Sequence, residues 1–277
     1  MKKLKREFIP REGRLQVLSN GGGTQSTCMI VLAANGVIPK PDIVIIADTE
    51  REYSPVWDYQ EKYVKPLCKS AGMEYVRVPK SDFSGADLVY DGDEQSVLMP
   101  MFSSFNGTNA DGRPAGKQPG FCSSHWKAKV IQRYLNARYG ELELTRRGVD
   151  TWIGMSMEER RRVKYPSGKW QKRYPLFEAQ VLRNQSIQIV KDFGLPEPPR
   201  SSCYMCPNRT DIEWLEMKRD NPADFHAACR VEQEIRDEFP WLTLHESGRP
   251  LGEVIFTTRP KQLDIYDQFC DTGMCFV

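Results

Sequence analysis

The sequence predicts an α/β fold, a doubly wound parallel sheet followed by a C-terminal helical, cysteine-bearing extension. Three observations carry this expectation. Apolar runs of strand length alternate with segments of helical period. One run, Ile43-Val-Ile-Ile-Ala47, is continuously apolar, as expected of a strand buried on both faces of a parallel sheet. A turn with three glycines, SNGGGTQST from Ser19 to Thr27, separates the first strand from the first helix, at the sheet end where such folds bind ligands.

The elements follow in order. Leu15, Val17 and Leu18 mark a strand over 15–18, and 26–35 a helix stopped by Asn35-Gly36. After the strand 43–47, Ser54-Pro55 reads as an N-cap with proline at the first helical position. Val56, Tyr59, Tyr63, Leu67 and Ala71 then recur at helical spacing. Residues 74–78 are a third strand. The stretch 103–120, SSFNGTNADGRPAGKQPG, is rich in Gly, Pro, Asn and Asp and reads as a mobile loop or lid. Trp126, Val130, Ile131, Tyr134 and Leu135 make an amphipathic helix closed by Gly140, Thr151 to Gly154 a fourth strand, and 178–193 a helix before Gly194. From Pro196 the composition changes, so 1–195 is expected to be the α/β domain and 196–277 the extension. A capping box from Thr210 to Glu213 opens the first helix of that extension.

Bulk properties bound the function. A chain of 277 residues suits one large domain with an appendage, and 40% hydrophobic and 27% charged residues are ordinary for a soluble protein. A net charge of +2 gives no global argument for nucleic-acid binding. No run of 18 apolar residues and no signal-peptide core follows the basic start, so a cytoplasmic protein without a membrane partner is expected. Eight cysteines in such a chain point to thiols or metal ligands in a reducing compartment, not to a disulfide framework.

The glycine turn is neither a Walker A loop nor Gly-x-Gly-x-x-Gly. A tight strand–helix turn would use the same glycines. A phosphate cradle would use them differently: glycines let backbone N–H groups approach an anion, Ser19, Thr24, Ser26 and Thr27 add hydroxyls, and the helix N-terminus adds its dipole. Arg160 to Arg162, Lys164, Lys169, Lys172 and Arg173 place seven cations within 14 residues, either a solvated face or a guide for a polyanionic substrate. Cys203-x-x-Cys206-Pro207 has the spacing of metal or cluster ligands, with a redox dithiol as the rival reading. The tail adds Cys270 and Cys275, whereas Cys28, Cys68 and Cys229 fall in apolar helical patterns and read as core. Of the histidines only His125, near Cys122, stands close to a motif.

Ser-x-Gly-Gly-Gly-Thr-Gln-Ser after a first strand resembles the modified phosphate loop of the PP-loop ATP pyrophosphatase superfamily. The variant it is similar to is that of the phosphoadenosine phosphosulfate (PAPS) reductase-like proteins, whose fold is adenine nucleotide alpha-hydrolase-like. Four further stretches match in order. Asp48-Thr49 resembles the family's Asp-Thr, and Cys122-Ser-Ser-His-Trp-Lys127 its Cys-Thr-x-x-x-Lys element. Ile153-Gly154 to Arg162 resembles Ile-Gly-x-x-x-Asp-Glu-x-x-Arg, and Cys203-Tyr-Met-Cys206-Pro207 with Glu213-Trp214 the Cys-x-x-Cys-Pro module. The resemblance implies that Ser19, Gly21, Gly22, Gly23, Thr24, Gln25 and Ser26 hold the phosphates of ATP, with Asp48, Thr49 and Gly154 forming the nucleotide pocket. It implies Ser26, Asp48 and Arg162 as catalytic residues, Arg162 in direct phosphate contact, and Mg2+ as helper. Cys122, Cys203, Cys206, Cys270 and Cys275 are five candidates for the four ligands of a 4Fe-4S cluster, Cys203 and Cys206 with Cys122 and one of the two tail cysteines, with zinc as the alternative.

Two activities remain open. One is ATP-dependent adenylation of an acceptor with release of pyrophosphate and sulfur transfer to a nucleotide or nucleic acid, served by a sulfur donor protein. The other is thiol-dependent release of sulfite from PAPS. Reductases of that kind carry a C-terminal Glu-Cys-Gly-Leu-His element, whereas Cys270-Asp-Thr-Gly-Met-Cys275 stands here, which lowers the second reading. A non-catalytic nucleotide- or metal-binding module is a third class.

Overall fold

The computed structural model describes residues 4–90, 96–108 and 114–257. At its centre is a five-stranded, wholly parallel sheet. Its strands are β1 (Leu15–Ser19), β2 (Ile43–Asp48), β3 (Tyr75–Pro79), β8 (Val149–Trp152) and β9 (Trp170–Arg173), in the order β3-β2-β1-β8-β9. Five strands lie outside it; of these, β4 (Val89–Tyr90) pairs with β5 (Ser96–Val97), and β6 (Phe102–Thr108) and β7 (Pro114–Lys117) form an antiparallel hairpin. A final strand, β10 (Leu242–Thr243), adds to β6.

Both faces of the sheet are covered, which is why β1 and β2 are buried along their whole length. On one face Leu18, Val44 and Trp152 pack against the helix Thr24–Ala34 (α1), a helix over 54–70 and the helix Arg183–Asp192. On the other, Leu15, Val17, Ile43, Ile45 and Val149 meet the helix Lys129–Tyr139 and Glu141–Arg147. This is the doubly wound arrangement. The strand order reverses between β1 and β8, so the crevice for a ligand lies beside the glycine turn. A further core joins Leu98, Met99, Met101 and Trp126 to Met205, Trp214, Met217, Phe225 and Ile235 from the helices Asp211–Asp220 and Pro222–Glu238. Among the described residues no helix is long and apolar enough to cross a membrane.

Several expectations need correction. The helix expected to start at 26 starts at Thr24, and the strand expected at 151–154 is Val149–Trp152. The stretch 103–120 is not a bare loop, because it carries most of the β6–β7 hairpin. Strand β9 lies inside what read as a run of charge. The helix expected over 178–193 is two pieces, Pro175–Glu178 and Arg183–Asp192, interrupted where Gln180 takes a left-handed φ of 58°. Ser54 is not the N-cap of its helix; Tyr53 is, and its side chain makes no capping bond. The cap comes instead from far along the chain, since Asp224 accepts from the Ser54 amide at 2.9 Å and from its hydroxyl at 2.8 Å. The Thr210–Glu213 capping box forms as expected.

That remote cap yields a test. Asp224→Ala removes both acceptors at the start of the 54–70 helix and should cost about 1–2 kcal/mol, read as a lower urea midpoint with an unchanged slope. An unaltered midpoint would show that water replaces the carboxylate without loss.

Candidate functional site

The site is assembled at the carboxyl ends of β1, β2 and β8. The turn after β1 is shaped by close approach. Asn20 ties it down, donating to Gln60 Oε1 at 2.6 Å and accepting from the Gly22 amide at 2.9 Å. Gly22 has a φ of +82°, and a Cβ there would lie 2.7 Å from Val56 Cγ1. A Cβ on Gly154, which follows β8, would come within 2.9 Å of the Ser26 amide nitrogen. The Ser201 hydroxyl donates to the Gly21 carbonyl, and a Cβ on Gly23 would meet Ser201 Cβ at 3.2 Å. Gly21 differs, since its added Cβ would meet nothing within 4 Å. Gly23 is the N-cap of α1 and no side chain caps that helix, so its first turn presents backbone N–H groups as an anion site would. The Ser26 hydroxyl donates back to the Gly23 carbonyl at 3.0 Å.

A small pocket opens beside this turn, lined by Ser19, Asn20, Gly21, Ala47, Glu52 and Lys127 among others. Asp48 and Thr49 are not in its lining. Asp48 closes a turn by accepting from the Glu50 amide at 2.7 Å and pairs with Arg77 at 2.6 Å, whose guanidinium lies 3.6 Å from the Trp57 ring centre. The Thr49 hydroxyl reaches the other way, 3.3 Å from Cys203 Sγ. Arg162 is held at 2.5 Å by Glu159, and Glu159 accepts from Gln25 Nε2 at 3.0 Å, so the basic segment is tied to the glycine turn through a carboxylate. Thr24 starts α1, and Thr27 is fully buried with an Oγ1 that has no hydrogen-bond partner among the described residues.

The thiols meet the pocket from the far side. Residues 51–53 run antiparallel to 202–204: the Tyr204 amide donates to the Arg51 carbonyl at 2.9 Å, and Tyr53 donates to Ser202 at 3.3 Å. This sets Cys203 against Glu52. The Cys206 amide donates to the Cys203 carbonyl at 3.1 Å, the tight turn expected of a Cys-x-x-Cys. Cys122 opens the helical segment that carries Lys127. Cys122, Cys203 and Cys206 all act on the Lys127 ammonium, and Cys206 acts on both other thiols. Lys127 Nζ lies 3.9 Å from the buried Glu52.

Burial pushes the Cys203 thiol up to about 12, with Glu52 adding to the rise and Lys127 opposing it. Burial likewise pushes Cys122 up to about 11. Burial pulls Lys127 down, but Glu52 above all, joined by the neighbouring sulfurs once they are thiolates, holds it above the ordinary lysine value. Burial raises the Glu52 carboxyl, with Lys127 and Arg209 pulling against it. One Glu52 oxygen, Oε1, is buried with no hydrogen-bond partner among the described residues.

Reasoning from sequence did not single out Lys127 or Glu52, both of which line the pocket. Lys127 sits inside a quoted motif, but nothing local signals that it faces Glu52. Among the described residues no group of three or more His, Cys, Asp or Glu side chains closes to the spacing of one metal ion. Cys270 and Cys275 lie outside the described residues. Cys28 and Cys68 are core residues as expected, and Cys229 packs at the edge of the core around Trp214. His125 Nε2 lies 3.2 Å from Lys129 Nζ.

No protein-family profile and no curated protein matches the chain. Two solved structures are similar to it over much of its length. One is phosphoadenylyl-sulfate (PAPS) reductase from Candida auris in a phosphate complex, with 10% identity over 66% of this chain and 75% of that one, at a TM-score of 0.34. The other is the U34-tRNA thiolase NcsA from Methanococcus maripaludis with its [4Fe-4S] cluster, with 18% identity over 83% of this chain and 75% of that one, at a TM-score of 0.40. At these scores the overlays are partial, and the chemistry of this chain rests on its own residues.

Two outcomes test the geometry. Gly22→Ala strains a positive φ and meets Val56, so it should destabilise the fold by more than about 1 kcal/mol, whereas Gly21→Val should leave the denaturation midpoint unchanged. Equal midpoints for both variants would contradict the described turn. In reduced, metal-free protein, iodoacetamide labelling of Cys122 and Cys203 should fall steadily as pH drops from about 11, because only the thiolate reacts and burial keeps the proton on. Labelling that is half-maximal near pH 8.5, about the value of an open thiol, would show both sulfurs in water.

Proposed function

We propose that the chain is an ATP-dependent enzyme of the PP-loop, PAPS reductase-like kind, which adenylates an acceptor with release of pyrophosphate and supports sulfur transfer to a nucleotide or nucleic acid. The observation that carries this reading is the position of Lys127. This one side chain borders the pocket beside the glycine turn and also faces three thiols. A nucleotide phosphate and a sulfur centre would therefore share one half-buried cation.

The roles follow from the geometry. The amides of Gly21 and of Gly23 to Ser26 at the open end of α1 take the phosphates, the Gly22 amide being held by Asn20, and Gly154 keeps the space that a side chain would fill. An acceptor oxygen attacks the α-phosphorus, the bond to the β-phosphate oxygen breaks, and pyrophosphate leaves. Lys127 offsets the charge that develops there. A sulfur nucleophile from a donor protein then displaces AMP from the activated acceptor. Arg162, paired with Glu159, would steady the carboxylate that accepts from Gln25 of the glycine turn. The carboxylate suited to Mg2+ is Glu52, whose Oε1 is buried and lacks a partner among the described residues.

The donor types also suit an iron–sulfur cluster, whose larger span does not need the thiols to close on one ion as zinc would. Cys122, Cys203 and Cys206 would supply three thiolates, and Cys270 or Cys275 a fourth. Such a cluster, when bound, offers an iron at which sulfur can be held. Zinc on the same thiolates is the alternative.

The test begins with ATP. Gly21→Val, which leaves the turn unstrained, should abolish ATP binding measured by equilibrium dialysis; undiminished affinity would remove the claim that the turn cradles phosphate. Pyrophosphate should appear only with ATP and acceptor together. Sulfite formed from PAPS without ATP would establish the reductase instead. After anaerobic reconstitution the protein should absorb visible light and bleach on reduction, and colourless protein with stoichiometric zinc would replace the cluster by a structural metal.

A further inference from the structure

A second cavity, of about 330 Å3, lies along β9 and is separate from the pocket beside the glycine turn. Arg11, Tyr165, Gln171, Lys172, Arg173 and Glu178 line it. Its cations are unequally satisfied. Arg173 is paired with Glu178 through two hydrogen bonds, of 3.0 and 2.5 Å. Arg11 shares the buried Asp150 with Arg14 and also donates to Gln171. Lys172 is half-buried and has no hydrogen-bond or ion-pair partner among the described residues. Burial and the neighbouring Lys164 both push its ammonium below the ordinary lysine value. The cavity is thus a concave place where positive charge exceeds negative charge, and an anion would relieve it.

Its aromatic wall adds a second requirement. Tyr165 is 59% exposed, yet its ring is braced edge-on against buried Tyr174, with centroids 5.3 Å apart at 88°. The braced ring offers an open face to a flat partner. A volume of this size admits one nucleotide and little more. The charge does not stop at the cavity, because Arg160 and Lys164 lie along the same segment, whereas Lys169 is engaged by Asn136 and Glu141. That continuation favours a chain of phosphates over a single small anion. The segment is also tied to the glycine turn through Glu159 and Gln25, so a strand following it would be led toward the phosphate pocket.

We propose that this cavity docks a single-stranded nucleic acid, with a phosphodiester against Lys172 and one base stacked on Tyr165. The inference rests on reading the chain as an acceptor-modifying enzyme, and it gives that acceptor its chemical class. The sulfur centre lies on the β2 side of the glycine turn and this cavity on the β9 side, so the acceptor and the thiols approach the nucleotide from opposite flanks.

The experiment is fluorescence anisotropy of a fluorescein-labelled 12-nucleotide oligouridylate with the full chain. Tyr165→Ala should weaken binding about tenfold, the effect of losing one stacked base. Lys172→Glu should weaken it by at least as much, and Lys172→Gln, which is gentler on the fold, should lower the slope of log Kd against log salt by about one. Lys65→Glu, on the exposed side of the 54–70 helix, should bind as wild type. ATP affinity should be unchanged in all of these variants. Wild-type oligonucleotide affinity in both Tyr165→Ala and Lys172→Glu would overturn the proposal, as would equal loss in Lys65→Glu or saturation by AMP with no binding of the oligonucleotide. Absence of ATP binding in the unaltered protein would instead remove the enzyme reading and leave the oligonucleotide result standing.

Discussion

The structure depends on close backbone approach at the glycine turn. Gly22 lies under Val56 of the 54–70 helix, Gly23 under Ser201, and Gly154 over the Ser26 amide. Three segments distant in sequence are brought together there because no side chain keeps them apart. The consequences run outward. With Ser201 seated on the turn, the next residues pair with 51–53, and that pairing sets Cys203 beside Glu52 and Thr49. The Cys203 turn therefore inherits its position from the glycine turn.

Electrostatics then shape what the pocket tolerates. A lysine and a glutamate are withdrawn from water at 3.9 Å, too long for a direct hydrogen bond, and one carboxylate oxygen lacks a partner among the described residues. Desolvating two charges costs several kcal/mol per ion, and a loose contact recovers only part of it. Around them are thiols that burial keeps protonated. A phosphate near Lys127, or a metal that takes the thiol protons, would supply the missing partners.

How legible all this was depended on sequence distance. The strands β1 and β2 could be read because burial on both faces leaves an unbroken apolar run. Strand β9, Trp-Gln-Lys-Arg, could not, since its residues are those of a solvated face and charged residues are the usual guard of a sheet edge. The hairpin β6–β7 was hidden by turn-forming residues, and its partner β10 lies far downstream. Asp224 caps a helix 170 residues away, a relation no local pattern can carry. At the site, the glycines and Cys203-x-x-Cys206 were visible as spacing. The Lys127–Glu52 contact was not, and Asp48 proved to be held by Arg77, outside the pocket lining.

The helical segment that carries Lys127 has one more feature of consequence. Its turn Ser124–Ala128 is a π-turn, wound with one residue more than an α-turn needs. Each residue of an α-helix advances its side chain by about 100° around the axis. The extra residue thus acts as a phase shift between Cys122, before the bulge, and the helix Lys129–Tyr139 that packs on the sheet beyond it. In a descendant that lost one residue here, every motif letter could survive while ammonium and thiol turned away from each other. For this segment, length is inherited information as much as identity is.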